Sequence, residues 1–169
     1  MGRKANINKI KRDNSKSKNI EASLCMYLYL KGHSPITTHI TISEMQECDV
    51  LSISGSDYIY EYEIKISKND FKKDFTKEKH KNIICEKFTK VYKTKLTYLT
   101  PNYFNFVTPK DLIKVEEVPE YAGLIYIDEF GKFEIVKKPK LLHNIKANEE
   151  FIKKVAHNLS VKLIFNKIK

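Results

Sequence analysis

Two β-patterned segments that meet at a tight turn restrict the fold of this chain more than any other feature. ECDVLSIS (residues 47–54) and YIYEYEIKIS (residues 58–67) flank Gly55-Ser56-Asp57, so the spacing predicts an antiparallel hairpin. A strand's period of two puts Tyr58, Tyr60, Tyr62, Ile64 and Ile66 on one face. Ile59, Glu61, Glu63, Lys65 and Ser67 fall on the other. Asp49 starts the partner strand and, with the hairpin closed near Gly55, approaches the Glu63 and Lys65 end of that second face. Periodicity leaves two readings open: a solvated sheet face whose Glu and Lys pair for solubility, or an acid cluster with a lysine built for chemistry.

The flanking pattern supplies helices. Ile20, Leu24, Tyr27 and Leu28, extending toward Leu30 and Lys31, form one helical stripe that Gly32 stops. SPITTHITISE alternates β-branched residues through Ile36, Thr38, Ile40 and Ile42 and reads as a strand before the hairpin. After Ser67, KNDFKKDFTKEKHKN places Phe71 and Phe75 four apart on an otherwise charged helix, with Ser67 and Asp70 as its cap. Residues 83–94 fit helix or loop equally well. YFNFVTP and AGLIYID are further strands joined by the connection Lys110 to Tyr121, and FEIVKKP is a short strand or extended arm after Phe130-Gly131. From about Asn148 to Lys162 the residues Phe151, Ile152, Val155, Leu159 and Leu163 recur at helical spacing. The order predicts an α/β domain with a central mixed β-sheet flanked by helices. Residues 20–169 form that single domain, and residues 1–19, basic and rich in Asn and Ser, form a flexible basic arm.

With 169 residues the chain is long enough for one core without staples. Lys and Arg number 31 against 21 Asp and Glu, a formal charge of +10 that favours a polyanionic partner, with solubility as the plain alternative. Cys25, Cys48 and Cys85 are odd in number, far apart and form no C-x-x-C pair, which points to a reduced, cytoplasmic protein. The apolar run Leu24 to Leu30 falls well short of the roughly 20 residues of a membrane span, so no membrane partner is expected. The five histidines show no zinc-site spacing, no G-x-x-x-x-G-K-[ST] loop provides a nucleotide site, and no G-x-S-x-G is present.

If the acid face is chemical, phosphodiester hydrolysis suits it best. Two carboxylates on adjacent strands can hold a hard, oxygen-preferring ion such as Mg²⁺, with Mn²⁺ as substitute, and leave positions for water and phosphate. Asp49 and Glu63 are those candidate metal ligands. Lys65 orients or helps deprotonate the attacking water, or stabilises charge on the phosphorane oxygens.

At these residues the sequence resembles the PD-(D/E)XK nuclease superfamily, with Asp49 as the first acid and Glu63-Ile64-Lys65 as the E-x-K element. The Pro of the motif is absent and Cys48 precedes the acid, which leaves the ligand itself intact. DVLSIS, YEYEIKISKNDFKKDF, PNYFNFV, EVPEYAGLIYID and IVKKPKLLH, in this order from Glu44 to His143, are similar to a small phage and bacterial family of that superfamily close to MmcB-like DNA repair proteins. E-x-K alone is a weak pattern; the longer string that follows D-V-L is moderately specific. The resemblance implies a restriction-endonuclease-like sheet with the metal site where the sheet opens, and the Ile64 backbone carbonyl as a further ligand. Glu21, eleven residues before Gly32, matches the position of a metal-site glutamate in resolvase-like members; the plain alternative is a first-turn acid that favours the helix dipole.

Other residues have plainer roles. Glu61 is one strand step further from the lysine and reads as a supporting or structural carboxylate, and Asp70 as a capping residue rather than a ligand. The basic groups are Lys9, Lys11 and Arg12, then Lys68, Lys72, Lys73, Lys77, Lys79 and Lys81, then Lys137, Lys138 and Lys140. Lysine suits sequence-independent phosphate contact, and Lys68, Lys72, Lys137, Lys138 and Lys140 are the candidate nucleic-acid-binding residues. Tyr103, Phe104 and Phe106 alternate in a strand, where core packing is the commoner use than base stacking.

The expected function is a metal-dependent DNA endonuclease of phage or bacterial repair, recombination or processing. A homodimer is the form expected if both strands are cut. The alternative from another class is a catalytically silent nucleic-acid-binding scaffold of the same fold. Nothing in the sequence separates DNA from RNA.

Overall fold

In a computed structural model, which describes residues 2–41, 45, 47–92 and 95–167, β2 (Cys48–Ile53) and β3 (Ile59–Ile64) form the expected antiparallel hairpin. Its register pairs Val50 with Tyr62 and Leu51 with Glu61, and one further step sets Asp49 opposite Glu63. The turn is closed by the Asp57 amide donating to the Ser54 carbonyl and the Ser54 amide donating to the Tyr58 carbonyl, with Asp57 at φ 65°.

Around this hairpin grows a six-stranded mixed sheet. β1 (Ile36–Ile40) adds antiparallel to β2, and β6 (Tyr103–Pro109) adds parallel to β3. β7 (Ala122–Ile127) follows parallel to β6, and β8 (Phe133–Lys137) closes the sheet antiparallel to β7, giving the order β1-β2-β3-β6-β7-β8. The central strands are apolar on both sides, as strands covered on both faces must be: every residue of β7 is buried. The connection Lys110 to Tyr121 holds a 3-10 turn at Val115–Glu117.

Helix α1 (Gly2–Leu30) lays Ile20, Leu24 and Leu28 against Val50, Tyr62, Ile64, Val107 and Ile125 on one sheet face. On the other face, α2 (Lys68–Asp74) and α3 (Glu78–Ile84) contribute Phe71 and Ile83 to a cluster around Phe104, Phe106 and Leu124. Beside them, α4 (Glu149–Lys167) packs Phe151 and Val155 on Leu51, Ile53 and Ile59. The result is the α/β architecture expected from the element order, a mixed sheet between helices. Among the described residues no helix is long and apolar enough to cross a membrane.

Several boundaries differ from the sequence expectations. Helical backbone continues through residues 2–19, where an arm was expected, although the buried stripe begins at Ile20. Leu30 is exposed because, two residues and about 200° of helical turn after Leu28, it falls on the outer face of α1. Leu163, near the far end of α4, is exposed as well. The single charged helix after Ser67 is two helices with a turn between them, and Ser67 caps the first by accepting from the Asp70 amide at 3.2 Å. Residues 83–92 end α3 and begin a separate two-stranded sheet of β4 (Thr89–Tyr92) and β5 (Lys95–Tyr98), which the sequence reading missed. FEIVKKP is a strand through Lys137 rather than a free arm. Ile42 lies outside the described residues.

Candidate functional site

The period-two reading places Glu61, Glu63 and Lys65 on the face covered by α2 and α3, and their solvation is the point on which the structure decides. Glu61 and Glu63 are each 1% exposed and Lys65 4%, so the reading of a solvated sheet face fails. The turn between α2 and α3 folds over these side chains and brings cations to them. Lys65 Nζ donates to Glu63 Oε2 at 2.8 Å and to Asp74 Oδ1 at 2.6 Å. Lys77 bridges the same two acids at 2.9 and 2.6 Å. Lys79 donates to Glu63 Oε1 at 2.7 Å, to Glu61, and to the Glu47 carbonyl at 2.9 Å. His80 Nε2 stands 2.7 Å from Asp74 Oδ2, and its Nδ1 is 2.7 Å from the Tyr121 hydroxyl.

Asp49 sits at the rim of this cluster, half-buried, with Oδ2 accepting from the Ile64 amide at 2.7 Å. Its electrostatics differ from its neighbours'. Burial and then the charge of Glu63 push the Asp49 carboxyl up, against the Ile64 hydrogen bond and the more distant Lys65 and Lys77. Burial acts in the same direction on Glu63, but Lys79, Lys65 and Lys77 outweigh it and hold that carboxyl below its ordinary value. Glu61 is pushed up to about 7, burial overcoming Lys79. Burial also opposes the charged form of Lys65, yet Glu63 and Asp74 together hold its pKa above the ordinary lysine value. The cluster therefore combines a strongly neutralised Glu63 with a neighbouring Asp49 whose charge is incompletely compensated.

That imbalance bears on metal. Among the described residues no group of three or more His, Cys, Asp or Glu side chains is arranged to hold an ion. Mg²⁺ does not require one, because it commonly keeps several waters and takes one or two carboxylates from the protein. Asp49 and Glu63 are two like charges pressed together across β2 and β3, a donor set that fits a hard divalent cation. Lys65, Lys77 and Lys79 hold the Glu63 oxygens, so a cation bound there would have to displace an ammonium. The Ile64 carbonyl lies at the end of β3, beside this pair in sequence.

The other sequence candidates are distributed differently. Glu21, on α1, pairs with His39 of β1 at 2.7 Å, and no hydrogen bond or ion pair among the described residues joins it to Asp49 or Glu63. Lys79 and Lys77, grouped by sequence with surface lysines, belong to the buried network instead. Lys137 directs its ammonium to the carbonyls of Val118 and Pro119 at 2.7 Å each, and so ties the connection before β7 to β8 rather than facing solvent phosphate. Lys68 reaches Glu117 at 3.3 Å, Lys140 reaches Glu120 at 3.5 Å, and both are exposed pairs that a phosphate can displace. Lys72 and Lys138 are exposed. Phe104 and Phe106 are core residues, as expected of alternating aromatics, while Tyr103 is half-buried.

Sequence reasoning missed Asp74, His80 and Tyr121. A signal for Asp74 existed: it stands three residues after Phe71 and one before Phe75, on the stripe that faces the core. His80 and Tyr121 meet only through the tertiary fold and left no trace in local spacing.

No protein-family model matches the chain, and no curated protein sequence matches it. Among solved structures it is similar to a protein of unknown function from Silicibacter pomeroyi, at 14% identity and a TM-score of 0.58, over 85% of this chain and 83% of that one. At that identity the similarity shows the fold alone.

Proposed function

We propose that this chain is a Mg²⁺-dependent nuclease of the PD-(D/E)XK kind, acting on DNA phosphodiester bonds. The observation that carries the reading is the meeting of Asp49, Glu63 and Lys65 at one end of the β2–β3 hairpin, with Asp49 opposite Glu63 and Lys65 2.8 Å from it. The restriction-endonuclease-like resemblance of the sequence assigns roles to the same three residues.

In this reading Asp49 and Glu63 hold the ion, with the Ile64 carbonyl as the backbone contribution. Mg²⁺, when bound, supplies Lewis-acid activation of water and neutralises phosphate charge. The Ile64 amide donates to one Asp49 oxygen, Oδ2, and so fixes the carboxylate at the end of the hairpin. Lys65 is held as an ammonium between Glu63 and Asp74, and this geometry suits orienting the nucleophile and stabilising charge on the phosphoryl oxygens better than removing a proton. His80 and Tyr121 fix Asp74, and Asp74 in turn positions Lys65. Lys68, Lys72, Lys138 and Lys140 remain candidates for backbone phosphates.

One observation favours the second reading, a catalytically silent nucleic-acid-binding scaffold. Glu63 is bound on both oxygens by three lysines, as a structural ion network would leave it. Metal binding separates the two. Titration of the protein with Mn²⁺, read by calorimetry and by melting temperature, is expected to show saturable binding and a raised melting temperature, both lost in Asp49→Asn. Absence of binding in the intact protein would favour the scaffold.

A further inference from the structure

On the sheet face opposite the charged cluster, α1, the strands β3, β6, β7 and β8 and the segment after β8 line an open pocket of about 490 Å³, within the range of small-molecule sites. Its walls are aromatic. Tyr60 and Tyr103 stack with centroids 4.6 Å apart and planes 21° from parallel. Tyr62 continues the row at 6.4 Å and 14°, and His33 meets Tyr60 edge-on at 4.9 Å.

Asn105, opposite Tyr62 in the β3–β6 register, lines the same pocket; it is 2% exposed, and its Nδ2 has no hydrogen-bond partner. A buried carboxamide left unpaired is unfavourable and uncommon, and a residue lining a cavity can be completed by what enters it. The backbone around it is shaped to the same end. A Cβ at Gly123 would strike Asn105 Oδ1 and lie 2.8 Å from Pro139 Cδ, so only glycine lets the carboxamide and Pro139 come this close. At the mouth stand Lys31 and Lys138, both exposed, and no carboxylate is among the described lining residues.

We propose that this cavity binds a single nucleobase together with its phosphate. The base stacks on the tyrosine row, the Asn105 carboxamide bonds the donor and acceptor atoms on its edge, and Lys31 and Lys138 take the phosphate. Flat aromatic walls fit a planar heterocycle, an unmade amide donor fits its ring nitrogen or carbonyl, and paired cations at the entrance fit the attached anion. The shared chemistry is that of a nucleotide, whether free or as an unpaired base of a strand. The site requires neither metal nor hydrolysis, and of the residues in the proposed nuclease reading it shares only Lys138.

The test uses the full-length protein in EDTA, titrated with dAMP, dTMP and dodecamers of dA and dT. The chain has 10 Tyr and no Trp, so intrinsic fluorescence reports tyrosine quenching by a stacked base, and the Asn105 side-chain amide is followed by NMR. Saturable binding that moves the Asn105 amide is expected, weakened about tenfold or more in Tyr103→Ala. Lys138→Ala, at an exposed position, is expected to reduce the salt dependence of dodecamer binding by about one unit of log–log slope. Lys153→Ala, on the outer side of α4, serves as the surface control and leaves both readings unchanged. Binding of dAMP or dTMP assigns a free nucleotide, and binding of the dodecamers alone assigns a base in a strand. The proposal is overturned if none binds at millimolar concentration, or if Lys138→Ala changes nothing and the Asn105 amide does not move.

Discussion

Replacing Lys79 with methionine keeps most of the side-chain volume and removes the cation on which the buried end of the ion network depends. Glu61 and Glu63, each 1% exposed, would lose a partner that reaches both, and the Glu47 carbonyl would lose its donor. Removing one member of a buried ion pair costs about 3–5 kcal/mol. Against a total stability on the order of 5–15 kcal/mol, the variant still folds but melts about 10 °C lower. The loss also depends on pH. Burial already pushes Glu61 up to about 7 from 4.5, with Lys79 opposing the rise, and without that lysine the carboxyl moves higher still. A carboxyl whose folded pKa exceeds its unfolded value favours the fold below the unfolded pKa and loses that contribution as pH rises through the folded one. Urea unfolding of both proteins at pH 8 and pH 5 is therefore expected to show the larger deficit at pH 8, where Glu61 is forced to ionise. A deficit under about 1 kcal/mol, equal at both pH values, would refute the burial argument and place these pairs with ordinary surface salt bridges.

Gly123→Ala is expected to cost about 1–3 kcal/mol through the collision with Asn105 and Pro139, read as a lowered melting temperature; an unchanged melt would show that the two give way freely. Burial alone would raise the Asp74 carboxyl, but hydrogen bonding from His80 and the charge of Lys65 hold it well below the usual range. A depressed carboxyl stabilises above its unfolded pKa of about 3.9 and loses that contribution as pH falls. Asp74→Asn should accordingly unfold more easily than the parent at pH 7, by circular dichroism, with the gap narrowing toward pH 2; a gap constant over that range would contradict the assignment.

The hairpin was legible because its information is local: alternation in residues 47–54 and 58–67, and a turn at Gly55 that admits one pairing. That also fixed which face carries Asp49, Glu63 and Lys65. Whether that face met water was not legible, since the answer lies in how α2 and α3 fold back over it. The turn that divides them, at Phe75, Thr76 and Lys77, contains no Gly or Pro to mark it. Lysines 77 and 79 accordingly looked like solvated charges on a continuous helix, whereas the fold inserts both between carboxylates. The β4–β5 hairpin was missed for a related reason, as VYKTKLTY has neither a strong turn signal nor a clear period. Lys137 shows a further limit: composition marks a lysine as basic, and only the tertiary structure shows two backbone carbonyls at its ammonium.

The proposed hydrolysis belongs to the Asp49, Glu63 and Lys65 end of the hairpin. The most direct measurement incubates the purified protein with single-stranded, duplex, flapped and four-way DNA in Mg²⁺ or Mn²⁺, beside Lys65→Ala and an EDTA control. At least one substrate is expected to be cut with metal, and cutting to be lost both in EDTA and in the variant. Intact DNA under every condition, or cleavage that persists undiminished in Lys65→Ala, would contradict it.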